Sequence, residues 1–101
     1  MTIEVNLDGK VAMITGASSG LGARFSKILA NAGAQVILAS RRVDRLKDLR
    51  AEIESNGGAA YVLELDVTDN ESIFKAFKKL VWKYLQDQIS NLRAEMSNTL
   101  M

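Results

Sequence analysis

Apolar positions along the chain follow two alternating patterns. Val11, Ala12, Met13 and Ile14 form an unbroken apolar run, a second stands at 36–39, and a third stretch at 60–65 is interrupted by Glu64. They predict strands over 10–15, 36–39 and 60–65, and the first, apolar without alternation, is expected to be covered on both faces. Between the runs, apolar residues recur at helical spacing. Leu21, Phe25, Ile28, Leu29 and Ala32 give a first helix a buried stripe, and Gly33 ends it as the C′ glycine. Val43, Leu46, Leu49 and Ile53 mark a second helix, with Asp44, Arg45, Lys47, Asp48 and Glu52 on its wet side and Gly57-Gly58 closing it. Thr68 and Glu71 stand at capping-box spacing, so a third helix is expected to begin there. Asp8-Gly9 reads as a turn before the first strand.

Strands alternating with helices predict right-handed βαβ units and a parallel sheet of order 3-2-1. The fold class is α/β, one mononucleotide-binding half of a doubly wound fold. The third helix is unusual, because no glycine or proline interrupts the sequence after Glu71. Continuous helix over about 28 residues would measure roughly 42 Å. Ile73, Phe77 and Leu80 can pack on the sheet. Farther on, Trp82, Leu85, Ile89, Leu92, Met96 and Thr99 alternate spacings of three and four, a short heptad-like seam. Three readings of that seam stay open: self-association, a helix folding back near Ser90-Asn91, and a frayed tail. The domain reading is a βαβαβ half-domain over 1–75 and a helical tail over 76–101 that continues the third helix.

The first strand breaks into Thr15-Gly16-Ala17-Ser18-Ser19-Gly20-Leu21-Gly22 before the first helix. A strand that becomes a glycine loop and then a helix can grip a phosphate. Gly16 permits a tight turn, Gly20 lets backbone approach an anion, and Gly22 lets the helix pack close to the strand. The free N–H groups and dipole at the helix start favour a pyrophosphate.

Composition narrows the chemistry. The chain has 101 residues, which suits one small domain, and 48% of them are hydrophobic, enough for a packed core. A net charge of +1 gives no bulk attraction for nucleic acid or an anionic membrane. Cysteine and histidine are absent, which excludes disulfides, metal sites built on those residues and a Ser-His-Asp mechanism within the chain. No apolar run approaches the roughly 20 residues of a membrane span, and no secretory signal core stands at the N-terminus. A cytoplasmic location is the default expectation.

Three features together resemble the short-chain dehydrogenase/reductase family, over about residues 7–75. The loop matches the family's Thr-Gly-x-x-x-Gly-x-Gly motif, which implies cofactor contacts from Gly16, Ser18, Ser19, Gly20, Leu21 and Gly22. Ser40-Arg41-Arg42 stands at the end of the second strand, where the family reads the adenosine ribose. Asp66-Val67 stands at the end of the third, where members contact adenine. The resemblance implies a Rossmann half-fold.

An acid after the second strand would bind the ribose hydroxyl of NAD and repel a 2′-phosphate. Here Ser40 and two guanidinium groups stand instead, and arginine suits phosphate, so NADP is the expected cofactor. Plainer roles remain open. Arg41 and Arg42 could be a solvated helix start, Thr15 a backbone tether, Ser18 and Ser19 ordinary turn residues, and Asp66 the start of the third helix.

The family's chemistry uses a tyrosine with a lysine four residues on and an orienting serine. Tyr61 is followed at that distance by Leu65, and Tyr84 by Gln88, so no catalytic residue is assigned. The Asn-Asn-Ala-Gly segment and a fourth strand are also missing from the sequence. The expectation is an NADP(H)-binding fragment of this type of oxidoreductase, not catalytic as the isolated chain. The alternatives are an oxidoreductase completed by a partner chain or a longer parent, and a non-enzymatic self-associating protein. A homo-oligomer is expected through the first-strand edge or the helix seam at 82–96.

Overall fold

The computed structural model describes residues 6–99, with side chains through 91 and that of Arg93. The elements run β1 (Val11–Thr15), α1 (Gly20–Asn31), β2 (Gln35–Ser40), α2 (Val43–Ser55), β3 (Ala59–Glu64) and α3 (Asn70–Thr99). The three strands form one parallel sheet with β2 in the middle, which is the expected order. Val11 pairs with Gln35 and Thr15 with Ala39, and Gln35 with Ala59, so all three strands end at the same side of the sheet.

Two apolar layers sandwich β2. Val36 and Leu38 point to one face and pack with Ala30 of α1 and Leu46, Leu49 and Ile53 of α2. Ile37 and Ala39 point to the other and pack with Leu63, Leu65 and Ala76 of α3. The second helix thus buries Leu46, Leu49 and Ile53 of the positions its pattern marked, leaves Val43 half-buried at its start, and keeps its charged positions outside. Only β2 is covered along both faces. β1 was expected to be covered likewise, but Val11 and Met13 are about half exposed, because α3 packs over β3 and does not reach across β1.

The other two helices bury different residues from those their large apolar side chains predict. In α1, Leu21, Phe25 and Ile28 are exposed, and the helix seats Ser26 and Ala30, with Ala23 and Leu29 partly buried. In α3, Ile73 and Phe77 are exposed, while Ala76 is buried and Leu80 joins the same layer. The cause is distance: small residues let a helix axis approach a sheet closely, and bulky neighbours are then forced to the flanks. Gly22 makes the same point most sharply. A Cβ there would collide with the carbonyl oxygen of Gly16, so α1 can sit where it does only with glycine at that position. Gly33 has φ +102°, in keeping with its place just past the α1 C-cap, Ala32.

The start of α3 also differs from the sequence expectation. Asp69, not Thr68, caps it: its carboxylate accepts from the Glu71 N–H at 3.0 Å, and its carbonyl accepts from Ile73 at 3.1 Å. The Thr68 hydroxyl is already bonded to Asp66. From Asn70 the helix runs 30 residues, without a turn at Ser90-Asn91 and across the 75/76 boundary. Trp82, Leu85 and Ile89 of the seam are exposed. The side chains of Leu92, Met96 and Thr99 lie outside the described residues.

The packing register of α3 has a direct test. Ala76→Leu is expected to cost about 1–3 kcal/mol by overpacking the layer against β3. Phe77→Ser should change stability by less than about 0.5 kcal/mol, since Phe77 stands in solvent. Urea unfolding of both variants distinguishes the observed register from the one the aromatic residue implies.

Candidate functional site

Parallel pairing brings the loops after β1, β2 and β3 to one end of the sheet. They enclose a cleft of about 430 Å³ lined by residues that include Gly16, Ser18, Ser40, Arg41, Asp66 and Val67. Ligands of open α/β sheets bind outside the carboxyl ends of strands, and this cleft lies there.

The first loop turns at Gly16, whose φ of +67° is costly for any residue with a side chain. Backbone bonds then pin the loops to the central strand: the Ala17 N–H donates to Ala39 O at 3.2 Å, and the Leu65 N–H donates to Ser40 O at 3.0 Å. Ser19 is the N-cap of α1. Its hydroxyl donates to the Gly16 carbonyl at 2.8 Å and accepts from the Gly22 N–H at 3.3 Å. The N–H groups of Gly20 and Leu21 open the first turn, where no earlier helical carbonyl is available to them. A Cβ built at Gly20 would meet nothing within 4 Å, so the space above this helix start is open.

Ser18 and Ser40 couple the first two loops. Their hydroxyls are 2.8 Å apart, and the Ser40 hydroxyl also accepts from the Arg42 N–H at 3.1 Å. The two arginines separate here. Arg41 lines the cleft, whereas Arg42 occupies the N-cap position of α2 and its side chain does not line that cleft. Ser19, Gly20, Leu21 and Gly22 lie beside the cleft at the helix start, outside its lining.

Asp66 closes the third side. Its carboxylate accepts from the Thr68 hydroxyl at 2.6 Å and the Thr68 N–H at 3.0 Å. These two bonds, with a smaller contribution from the Arg41 charge, hold its carboxyl below the usual carboxylate range. The Asp66 N–H donates to the Ser72 hydroxyl at 2.8 Å, which ties the loop to α3. Sequence reasoning did not single out Thr68, Ala39 or Leu65 for the cleft. Thr68 was legible in principle, since an aspartate followed two residues later by threonine is a turn signature. Ala39 and Leu65 enter only through strand register.

These features coincide with a family. Residues 10–92 match the short chain dehydrogenase model, and the chain belongs to that family. The match extends farther along α3 than the 7–75 span on which the motifs stand. Among relatives, the fatty acyl-CoA reductase of Acinetobacter baylyi is 47% identical over 68 residues, which are 67% of this chain and 23% of that protein. A metagenomic short-chain oxidoreductase crystallised with NADP is 37% identical with TM-score 0.69, over 77% of this chain and 35% of that one. An alcohol dehydrogenase from Thermococcus sibiricus, complexed with 5-hydroxy-NADP, is also 37% identical with TM-score 0.69, over 74% of this chain and 32% of that one. The chain therefore spans about a quarter to a third of the length of these relatives.

The Asp66 turn gives a pH prediction. Thr68→Ala removes the hydroxyl donor, so an NMR titration should show the Asp66 midpoint rising towards that of an ordinary aspartate. Because the folded value is depressed, the turn's contribution to stability is present above the unfolded pKa and lost as pH falls through the folded one. In the variant that loss should be smaller and should be complete at higher pH.

Proposed function

We propose that this chain binds the adenosine and pyrophosphate side of NADP(H) and does not carry out turnover by itself. The observation that supports this most is the cleft at the carboxyl ends of the strands, with Arg41 on its wall and open space above the α1 start. The pyrophosphate would rest on the N–H groups of Gly20 and Leu21, favoured by the helix dipole. Gly22 would contribute by letting the start of α1 sit against the Gly16 turn, beside the cleft.

Arg41 would hold the 2′-phosphate through charge-assisted hydrogen bonds, with Arg42 adding charge from the start of α2. Without an anion, two cations at a helix start are unfavourable, and a phosphate there removes that cost. Ser40 carries no charge to repel the phosphate, and its hydroxyl is held between Ser18 and the Arg42 N–H. Asp66 and Val67 would contact adenine from the third loop. When bound, the nicotinamide of such a cofactor supplies hydride transfer. The Tyr-x-x-x-Lys pattern that would manage the accompanying proton is absent from the sequence, so we assign no catalytic residue.

Fluorescence titration with NADPH and NADH tests the reading. The 101-residue chain should prefer NADPH, and Arg41→Ala should reduce the NADPH-to-NADH affinity ratio about tenfold, the scale of one hydrogen bond to a charged group. Arg42→Ala should reduce it less. An unchanged ratio in the double variant would show that neither guanidinium reads the phosphate. Undetectable binding at millimolar NADPH would favour a non-enzymatic interaction role.

A further inference from the structure

Arg41 and Asp66 stand between two cavities. Beside the cleft at the strand ends lies a second hollow of about 550 Å³, at the end of β3 and the start of α3, and these two residues line both. Among the described residues they are also the only ionisable side chains that line the cleft. The second hollow adds Glu64 of β3, Asp69, and Glu71, Lys75 and Lys79 of α3, so carboxylates outnumber cations around it. The guanidinium of Arg41 is therefore bordered by an uncharged cleft on one side and by an acidic excess on the other.

Asp66 acts on that guanidinium in a particular way. Both Thr68 bonds fall on one carboxylate oxygen, Oδ1, and hold the group in its turn. No ion pair joins Asp66 to Arg41 among the described residues. Asp66 is thus a nearby fixed charge and not a directed hydrogen-bond partner. A charge of that kind attracts a guanidinium without orienting it, whereas a phosphate that receives its N–H groups does both.

We propose that Asp66 limits how strongly this chain prefers a 2′-phosphate, by competing with that phosphate for the Arg41 guanidinium. The proposal rests on the NADP reading above and adds a second, opposing residue to it. Arg41 attracts the phosphate, and Asp66 draws the same guanidinium away from it. Any contact of Asp66 with adenine is a separate matter. Adenine is common to NADPH and NADH, so that contact cancels in the ratio of their affinities. A carboxylate that merely repelled the phosphate would do so with or without Arg41, whereas one that acts through the guanidinium loses its effect when Arg41 is gone.

Titration of the 101-residue chain with NADPH and NADH at low ionic strength separates these cases. Asp66→Asn keeps an acceptor for Thr68 and removes the charge. It should raise the NADPH-to-NADH affinity ratio about threefold, the scale of one exposed charge pair, and should leave the ratio unchanged in an Arg41→Ala background. Thr68→Ala loosens the same turn but keeps the charge, so it should not move the ratio. An unchanged or lower ratio in Asp66→Asn, or an equal rise in the Arg41→Ala background, would overturn the competition. If Arg41→Ala alone leaves the ratio unchanged, the 2′-phosphate reading falls and the competition with it. If Arg41→Ala lowers the ratio but Asp66→Asn does not raise it, the competition alone falls. NMR titration without nucleotide gives an independent arm. Arg41→Ala should move the Asp66 midpoint up, because a positive charge that favours the carboxylate is gone. An unmoved midpoint would show that the two groups do not interact, and would overturn the proposal whether or not nucleotide binds.

Discussion

The carbonyl oxygen of Gly16 stands where a Cβ of residue 22 would be. That close approach governs much of the rest. It requires a left-handed turn at Gly16 and no side chain at Gly22, and it presses the start of α1 onto the end of β1. With the axis so close to the sheet, the small residues Ala23, Ser26 and Ala30 sit beneath it, with Leu29 partly buried beside them. The large residues Leu21, Phe25 and Ile28 are displaced to the outer flank. One contact between two glycines thus sets the α1 start beside the cleft and leaves an apolar stripe on the outer flank of the helix.

The same geometry explains what the sequence revealed. Strand runs, the glycine loop and the order of elements were legible because each is local: an apolar run, a positive-φ turn, a cap. The second helix was legible because Leu46, Leu49 and Ile53 are both its large apolar residues and its buried ones. In α1 and α3 that equivalence fails. Buried Ser26 and Ala76 carry little hydrophobic signal, while exposed Phe25 and Phe77 carry a strong one. How closely a helix approaches a sheet is a tertiary property, and apolar periodicity does not encode it.

The candidate site divides in a similar way. Gly16, Ser18, Ser40, Arg41, Asp66 and Val67 line one cleft because parallel strands of matched register end together. Strand order and motif spacing were enough to bring them there. The division between Arg41 and Arg42 was not legible, since it depends on where α2 begins: one residue later, Arg42 has become the helix cap position. Ser19 likewise spends its hydroxyl on the Gly16 carbonyl and the Gly22 N–H, which fixes the loop that any pyrophosphate would meet.

Strand direction also sets what the cleft can be asked to hold. It lies at the carboxyl ends of its strands. The three described strands form one mononucleotide half of a doubly wound sheet, and a dinucleotide normally spans both halves. The loops after β1, β2 and β3 stand where the adenosine and pyrophosphate side of such a ligand would lie, and the binding reading proposed above asks no more of them than that. Its test is therefore a binding titration, in which the guanidinium on the cleft wall, Arg41, is the group whose removal should matter most.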